Sequence, residues 1–284
     1  MVDYKASLVK STELLYPRIT DELSRQSSKF YGKNSWTLNK LDHWRSVDFP
    51  AELKERYEKG QLSITKTELA LLMDWKLAKG KFRPSLPKLI QGNSEESVEK
   101  ATRNGFLIFT DYAKKQTNWS EIDISEYQTA LRSSLKRLTE LRGVGPATAS
   151  LLLALLKDVT PFAPPFFSDE AFLYFVQSPI RPGQPIKYNL KEYADDYLSV
   201  MIGVARKYQI NSLDELERGA WGLKMYHSNR IDKLADVEFP EDIEDDALDK
   251  FDIASEFLQE SEPKKRPAPT SSRSKLAKKP KIES

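Results

Sequence analysis

The chain has 284 residues, 39% of them hydrophobic, and its 44 Lys and Arg nearly balance 42 Asp and Glu for a formal net charge of +2. It holds no cysteine and 2 histidines, which excludes a disulfide framework, a thiolate zinc site and an iron–sulfur cluster and leaves little for a transition-metal site. No apolar run approaches the roughly 20 residues needed to cross a bilayer, and the opening MVDYKASLVKSTELL is polar rather than an apolar leader, so a soluble intracellular protein without metal or other cofactor is expected.

Nearly every periodic segment reads as helix and no strand pair stands out, which predicts an all-α, compact multi-helix domain over residues 1–235. Thr37 caps a helix carrying Leu38, Leu41 and Trp44. Pro50 suits the first helical position before AELKERYEKG, with Gly60 as its stop. Thr65 and Glu68 have capping-box spacing ahead of the apolar stripe Leu69, Leu72, Met73 and Leu77. Ser94 opens a further helix, expected to break near Asn104-Gly105 before the aromatic patch Phe106, Phe109 and Tyr112. Asp123 or Ser125 opens the next, in which Tyr127, Leu131, Leu135 and Leu138 recur at three- and four-residue spacing. Further helices are predicted from Ser168, near 190–208, and from Ser212, where Glu215 follows three residues on.

The helix from Thr65 closes on Lys76, Lys79, Lys81 and Arg83, set around Trp75 and Phe82. Cations beside an aromatic suit a nucleic-acid surface. Equally, the last-turn lysines complement the negative end of the helix while the aromatics enter the core. His43 and His227 show no metal-ligand spacing.

The most informative segment is LTELRGVGPATASLLLALL, residues 138–156. One amphipathic helix ends, Gly143-Val144-Gly145 follows, and Pro146 takes the first position of a second helix. Two glycines permit a tight reversal and leave no side chain to hold a phosphate away from the backbone. The N–H groups of the turn and of the next first turn then face an anion. Leu141, Gly143, Val144, Gly145, Thr148 and Ala149 match the helix-hairpin-helix pattern, apolar-x-Gly-apolar-Gly-x-x-Thr-Ala, so residues 126–157 resemble that motif. The resemblance implies sequence-blind binding of DNA backbone at Gly143, Val144, Gly145, Ala147 and Thr148; if the cations Lys76, Lys79, Lys81 and Arg83 serve a nucleic-acid surface, they make a second grip on the same backbone. An ordinary helical hairpin with a glycine turn is the plainer alternative.

The resemblance extends, more weakly, to the base-excision DNA glycosylase superfamily. There the hairpin is followed, after a variable loop, by an aspartate that opens the next helix. PFAPPFF is that loop here, and Asp169 stands where the catalytic aspartate is implied, although the spacing is four residues longer than in the closest family pattern. Bifunctional members carry a lysine two residues after the second glycine. Ala147 stands there, so only a monofunctional, glycosylase-like hydrolase is implied. Ser168-Asp169-Glu170 is also ordinary helix-start chemistry, a hydroxyl cap followed by acids at the positive end. Phe166, Phe167, Trp75 and Trp221 can stack on an extruded base or simply fill the core.

Beyond residue 235 the charge segregates. Residues 236–262 are strongly acidic and read as a linker. Residues 263–284 are basic and proline-bearing and read as a disordered tail. Lys264, Lys265 and Arg266, then a spacer, then Lys278, Lys279 and Lys281 match a bipartite nuclear localisation signal. A nuclear import receptor and DNA backbone are therefore the expected partners, the nucleus the expected location, and no membrane is expected. A non-catalytic adaptor, with the hairpin as scaffold and the tail recruiting partners, is the third alternative.

Overall fold

The computed structural model describes residues 2–32, 36–81 and 83–258. Phe82 and the basic cluster residues Lys264, Lys265, Arg266, Lys278, Lys279 and Lys281 lie outside the described residues. Within them the regular elements are helices, apart from one isolated bridge between Tyr31 and Trp36. In chain order they are α1 (Tyr4–Lys10), α2 (Tyr16–Gln26), α3 (Leu38–His43), α4 (Phe49–Glu58), α5 (Lys66–Lys79), α6 (Leu86–Gln91) and α7 (Glu95–Ala113). Then follow α8 (Ile124–Leu138), α9 (Pro146–Ala154), α10 (Asp169–Phe172), α11 (Ser178–Ile180), α12 (Leu198–Tyr208), α13 (Leu213–Asn229) and α14 (Ser255–Leu258). No helix is long and apolar enough to cross a membrane among these residues.

The helix starts follow their capping chemistry. Thr37, Ser94, Asp123, Ser168 and Ser212 each accept from a backbone N–H in the first turn, and Thr65 with Glu68 closes a full capping box at α5. The break expected at Asn104-Gly105 does not occur, for α7 is continuous from Glu95 to Ala113. Gly105 is there for contact: a Cβ would lie 2.7 Å from Leu138, and the Ser134 hydroxyl donates to the Gly105 carbonyl at 2.6 Å. With Phe109 against Tyr127, these pairs set α7 and α8 antiparallel at close range.

The acidic segment is not a linker as far as Leu258. Val237, Ile243, Ala247, Leu248, Phe251 and Ala254 are buried, the Phe251 N–H donates to the Tyr174 carbonyl at 3.0 Å, and Lys224 pairs with Asp249 at 2.5 Å. Apolar residues interleaved with the acids at three- and four-residue steps give the run one buried edge, so the folded body continues past residue 235.

Two features of the core place the site. Helix α13 crosses the N-terminal helices, with the Ser11 hydroxyl donating to the Gly219 carbonyl at 2.7 Å. The loop PFAPPFF is pinned by tyrosines: the hydroxyls of Tyr127, Tyr193 and Tyr197 donate to the carbonyls of Phe162, Pro165 and Phe166 at 2.9, 2.8 and 3.3 Å. The Phe167 N–H donates to the Ser150 hydroxyl at 2.9 Å. Buried loop backbone must find such partners, and here they fix where α10 begins.

Candidate nucleotide-binding cleft

The turn between α8 and α9 is braced from behind. Asn93 donates to the Arg142 carbonyl at 3.0 Å and accepts from its N–H at 2.9 Å. Gly143 has φ +78, and a Cβ there would lie 3.0 Å from Cβ of Leu89 on α6. Its conformation and its packing both ask for glycine. Val144 is buried beneath the turn. Gly145 differs: it is exposed, nothing lies within 4 Å of a Cβ built on it, and it caps α9 ahead of Pro146. Among the described residues, the N–H groups of Gly145 and Ala147, like that of Gly143, find no acceptor, and Gly145 is the exposed one of the three, which leaves this turn open to an external anion.

These residues rim a cleft of about 350 Å³, within the range of roughly 300–1,000 Å³ usual for small-molecule sites. Gly143, Gly145, Pro146, Ala147 and Thr148 line it, as do Lys81 and Arg83. Trp75, Phe166 and Trp221 supply apolar walls. Asp169 and Glu170 enter from the start of α10, and Glu217 from α13.

Asp169 is half-buried, and its Oδ2 accepts from the Tyr188 hydroxyl at 2.7 Å. Tyr188 has φ +54, a left-handed conformation that costs a non-glycine residue. Glu192 holds it there by accepting from the N–H groups of Lys187 and Tyr188 at 2.8 and 2.9 Å. The Arg83 guanidinium lies over the Tyr188 ring, 5.2 Å from its centroid. A strained residue held by its surroundings and aimed at a cleft carboxylate is a functional signature.

Lys76 is half-buried, with Nζ donating to the Thr148 hydroxyl at 2.8 Å. Burial lowers its amine to about 8, against the opposing pull of Asp169. Thr148 is itself buried and its hydroxyl engaged, so it serves the cleft interior rather than a phosphate outside. Lys79 departs further from the expected phosphate grip. It is buried, its ammonium donates to Asp42 at 3.0 Å, and it lies over the rings of Tyr16 and Trp221 at 3.8 and 4.0 Å. Asp42 also accepts from the Tyr16 hydroxyl and the Trp75 indole, both at 2.8 Å. Lys79 therefore props the aromatic wall from inside, and of the four cations Lys81 and Arg83 remain exposed.

Sequence reasoning missed the carboxyls at the inner end. Glu217 is buried, and its Oε1 accepts from the Ser168 hydroxyl at 2.6 Å. Burial raises it to about 7, with Arg45 pulling the other way. A signal did exist: Glu217 takes a core position in the stripe Leu213, Leu216, Ala220 and Trp221. Nothing local marked Tyr188 or Glu170. The proposed stacking residues Trp75, Phe166, Phe167 and Trp221 are all buried and all line the cleft, and Phe167 also packs on Tyr193 and Tyr197. Among the described residues no group of three His, Cys, Asp or Glu is placed to hold a metal ion. His43 sits beside Asp48 and His227 beside Asp249, both away from the cleft.

No family profile, curated protein or solved structure matches the chain.

Proposed function

We propose that this chain binds nucleic-acid backbone at the α8–α9 turn and hydrolyses the N-glycosidic bond of a nucleotide turned out into the cleft. One observation carries the reading: the open turn around Gly145, the carboxylate of Asp169 and the walls Trp75, Phe166 and Trp221 border a single cleft. A phosphate on the free N–H groups of Gly145 and Ala147 holds the strand without regard to sequence. Arg83 and Lys81, exposed on the same cleft, add charge for the same strand. An extruded base then stacks between the aromatic walls.

In the reaction, water adds to the sugar C1′ and the C1′–N bond breaks. Its electron pair leaves with the base, which takes up a proton. Positive charge builds on the sugar ring as the bond lengthens, and a carboxylate at Asp169 is the group that stabilises it. The Tyr188 hydroxyl, donating to Oδ2, fixes the direction of that carboxylate. Ala147 leaves no amine inside the turn, and the reading is that of a hydrolase. In the cell the basic tail, with Lys264, Lys265, Arg266, Lys278, Lys279 and Lys281, serves as the import signal that brings the protein to nuclear DNA.

Chromatographic detection of free base, from duplexes carrying a panel of altered bases, tests the chemistry. Wild type should release at least one base, and Asp169→Asn should do so roughly 10²–10³-fold more slowly. An Asp169→Asn protein as fast as wild type would end the role of that residue.

A further inference from the structure

The carboxyl of Glu170 lies in the cleft and is used by nothing yet described. It leaves the first turn of α10 next to Asp169, on the same lining as Trp75, Phe166 and Trp221. Among the described residues no other side chain hydrogen-bonds to it, its one recorded bond being to its own N–H. Its neighbours are all committed. Asp169 takes the Tyr188 hydroxyl, Glu217 takes Ser168, and the Lys79 ammonium is spent on Asp42. A partnerless carboxyl beside aromatic walls is what remains for the edge of whatever stacks there.

Resting on the proposed nucleotide-binding reading of the cleft, we infer that Glu170 selects the base. Its carboxylate takes a planar nitrogen heterocycle whose edge presents two adjacent N–H donors, as guanine does with N1–H and the 2-amino group. A carboxylate is acceptor-only, with two oxygens in one plane, and pairs in bidentate fashion with two parallel donors. Adenine offers a donor beside an acceptor on that edge, and the acceptor would face a carboxylate oxygen. Hypoxanthine keeps N1–H but lacks the amino group, so it satisfies one oxygen. The aromatic walls hold any of the three, and Glu170 decides among them.

The protonation state fits this role above neutrality. Burial raises the Glu170 carboxyl to about 7, its own N–H lowers it, Asp169 and Glu217 raise it further, and Lys79 opposes them. At pH 8 it is mostly ionised and reads two donors. As pH falls below 7 it gains a proton, becomes a donor beside an acceptor, and the preference for the two-donor edge weakens.

The test is titration of the full chain at pH 8 with 2′-deoxyguanosine, 2′-deoxyinosine and 2′-deoxyadenosine, followed by the fluorescence of the cleft tryptophans and by calorimetry. Wild type should bind deoxyguanosine roughly tenfold or more tighter than either other nucleoside, the loss expected for one charge-assisted hydrogen bond. Glu170→Gln should reverse the order of deoxyguanosine and deoxyadenosine, because a carboxamide offers one acceptor and one donor. Equal binding of deoxyguanosine and deoxyinosine by wild type, or no binding of either, overturns the inference. So does a folded Glu170→Gln protein that keeps the guanine preference. Should that variant not fold, the deoxyguanosine–deoxyinosine pair on wild type decides alone. Duplex binding measured beside it separates the two readings. Intact duplex binding without nucleoside discrimination sinks only the role of Glu170, whereas discrimination without duplex binding sinks only the backbone-binding reading.

Discussion

Replacing Lys79 by methionine separates a structural lysine from a phosphate-binding one. In the fold the Lys79 ammonium is buried and sits 3.0 Å from Asp42, whose carboxylate otherwise meets only the neutral donors of Tyr16 and Trp75. Methionine fills much of the same volume but leaves the buried Asp42 carboxylate without its hydrogen-bonded cation, with only the more distant pull of Arg45 remaining. Breaking a buried ion pair from one side costs about 3–5 kcal/mol. For a chain of this size that lowers the thermal midpoint on the order of 10 °C. The companion double variant, Asp42→Asn with Lys79→Met, removes both charges and should recover a substantial part of the loss, a coupling of about 0.5–3 kcal/mol. Urea unfolding of the wild type, both single variants and the double variant measures all four corners. If Lys79→Met were within about 0.5 kcal/mol of wild type, as for an ordinary surface site, while nucleic-acid affinity fell, the placement of this side chain would be refuted. Lys79 would then belong to the surface.

Three further outcomes follow from the geometry. Gly143→Ala should destabilise by about 1–2 kcal/mol for its left-handed backbone alone, with more from the contact at Leu89, whereas Gly145→Ala meets no strain or clash and should lose at most about 0.5–1 kcal/mol, as a poorer helix cap; a loss at Gly145 as large as that at Gly143 in urea unfolding would contradict the described turn. Glu217 has its carboxyl raised by burial from 4.5 to about 7, so the fold binds that proton more tightly than the unfolded chain does. The resulting stabilisation is complete below pH 4.5 and is lost as pH rises through about 7. Glu217→Gln should flatten that part of the stability–pH curve and raise stability at pH 8, and an unchanged curve would show that the carboxyl is not buried. Tyr188→Phe removes the hydroxyl that orients Asp169 and should slow base release while leaving duplex affinity near that of wild type; a parallel loss of affinity would mean that Tyr188 acts on the strand instead.

Much of this architecture was legible in the sequence because it is written in local chemistry. Thr65 with Glu68, Ser94, Asp123 and Ser212 fixed helix starts through side-chain caps. The glycines around Val144 marked a tight reversal, which the chain makes at Gly143, where the left-handed backbone and the nearness of Leu89 require glycine. What the sequence concealed depends on distant partners. Lys79 reads as a routine last-turn cation, and only Asp42, 37 positions away, with Tyr16 and Trp221, makes it interior. Gly105 reads as a helix breaker, but the closeness of Leu138 makes it a contact residue. The acidic run hid its buried edge because charge outweighs Ile243, Leu248 and Phe251 in any local average. Tyr188 carries no sequence signal, since its place is set by Glu192 and its target by Asp169.

The claim on which the account rests is that the turn at Gly145 is the phosphate grip of the cleft. Binding of the full chain to labelled duplex DNA over a salt series, with wild type beside Gly145→Asp, tests it directly. Gly145 is the right position because it is exposed and open and caps α9, where aspartate is a good helix cap and should not harm the fold. Wild-type affinity should fall by about 0.9 log unit per log unit of salt for each phosphate contact. Gly145→Asp should weaken binding markedly and make that slope shallower by about one contact. Binding unchanged in affinity and slope by Gly145→Asp would place the strand elsewhere on the protein and contradict the account.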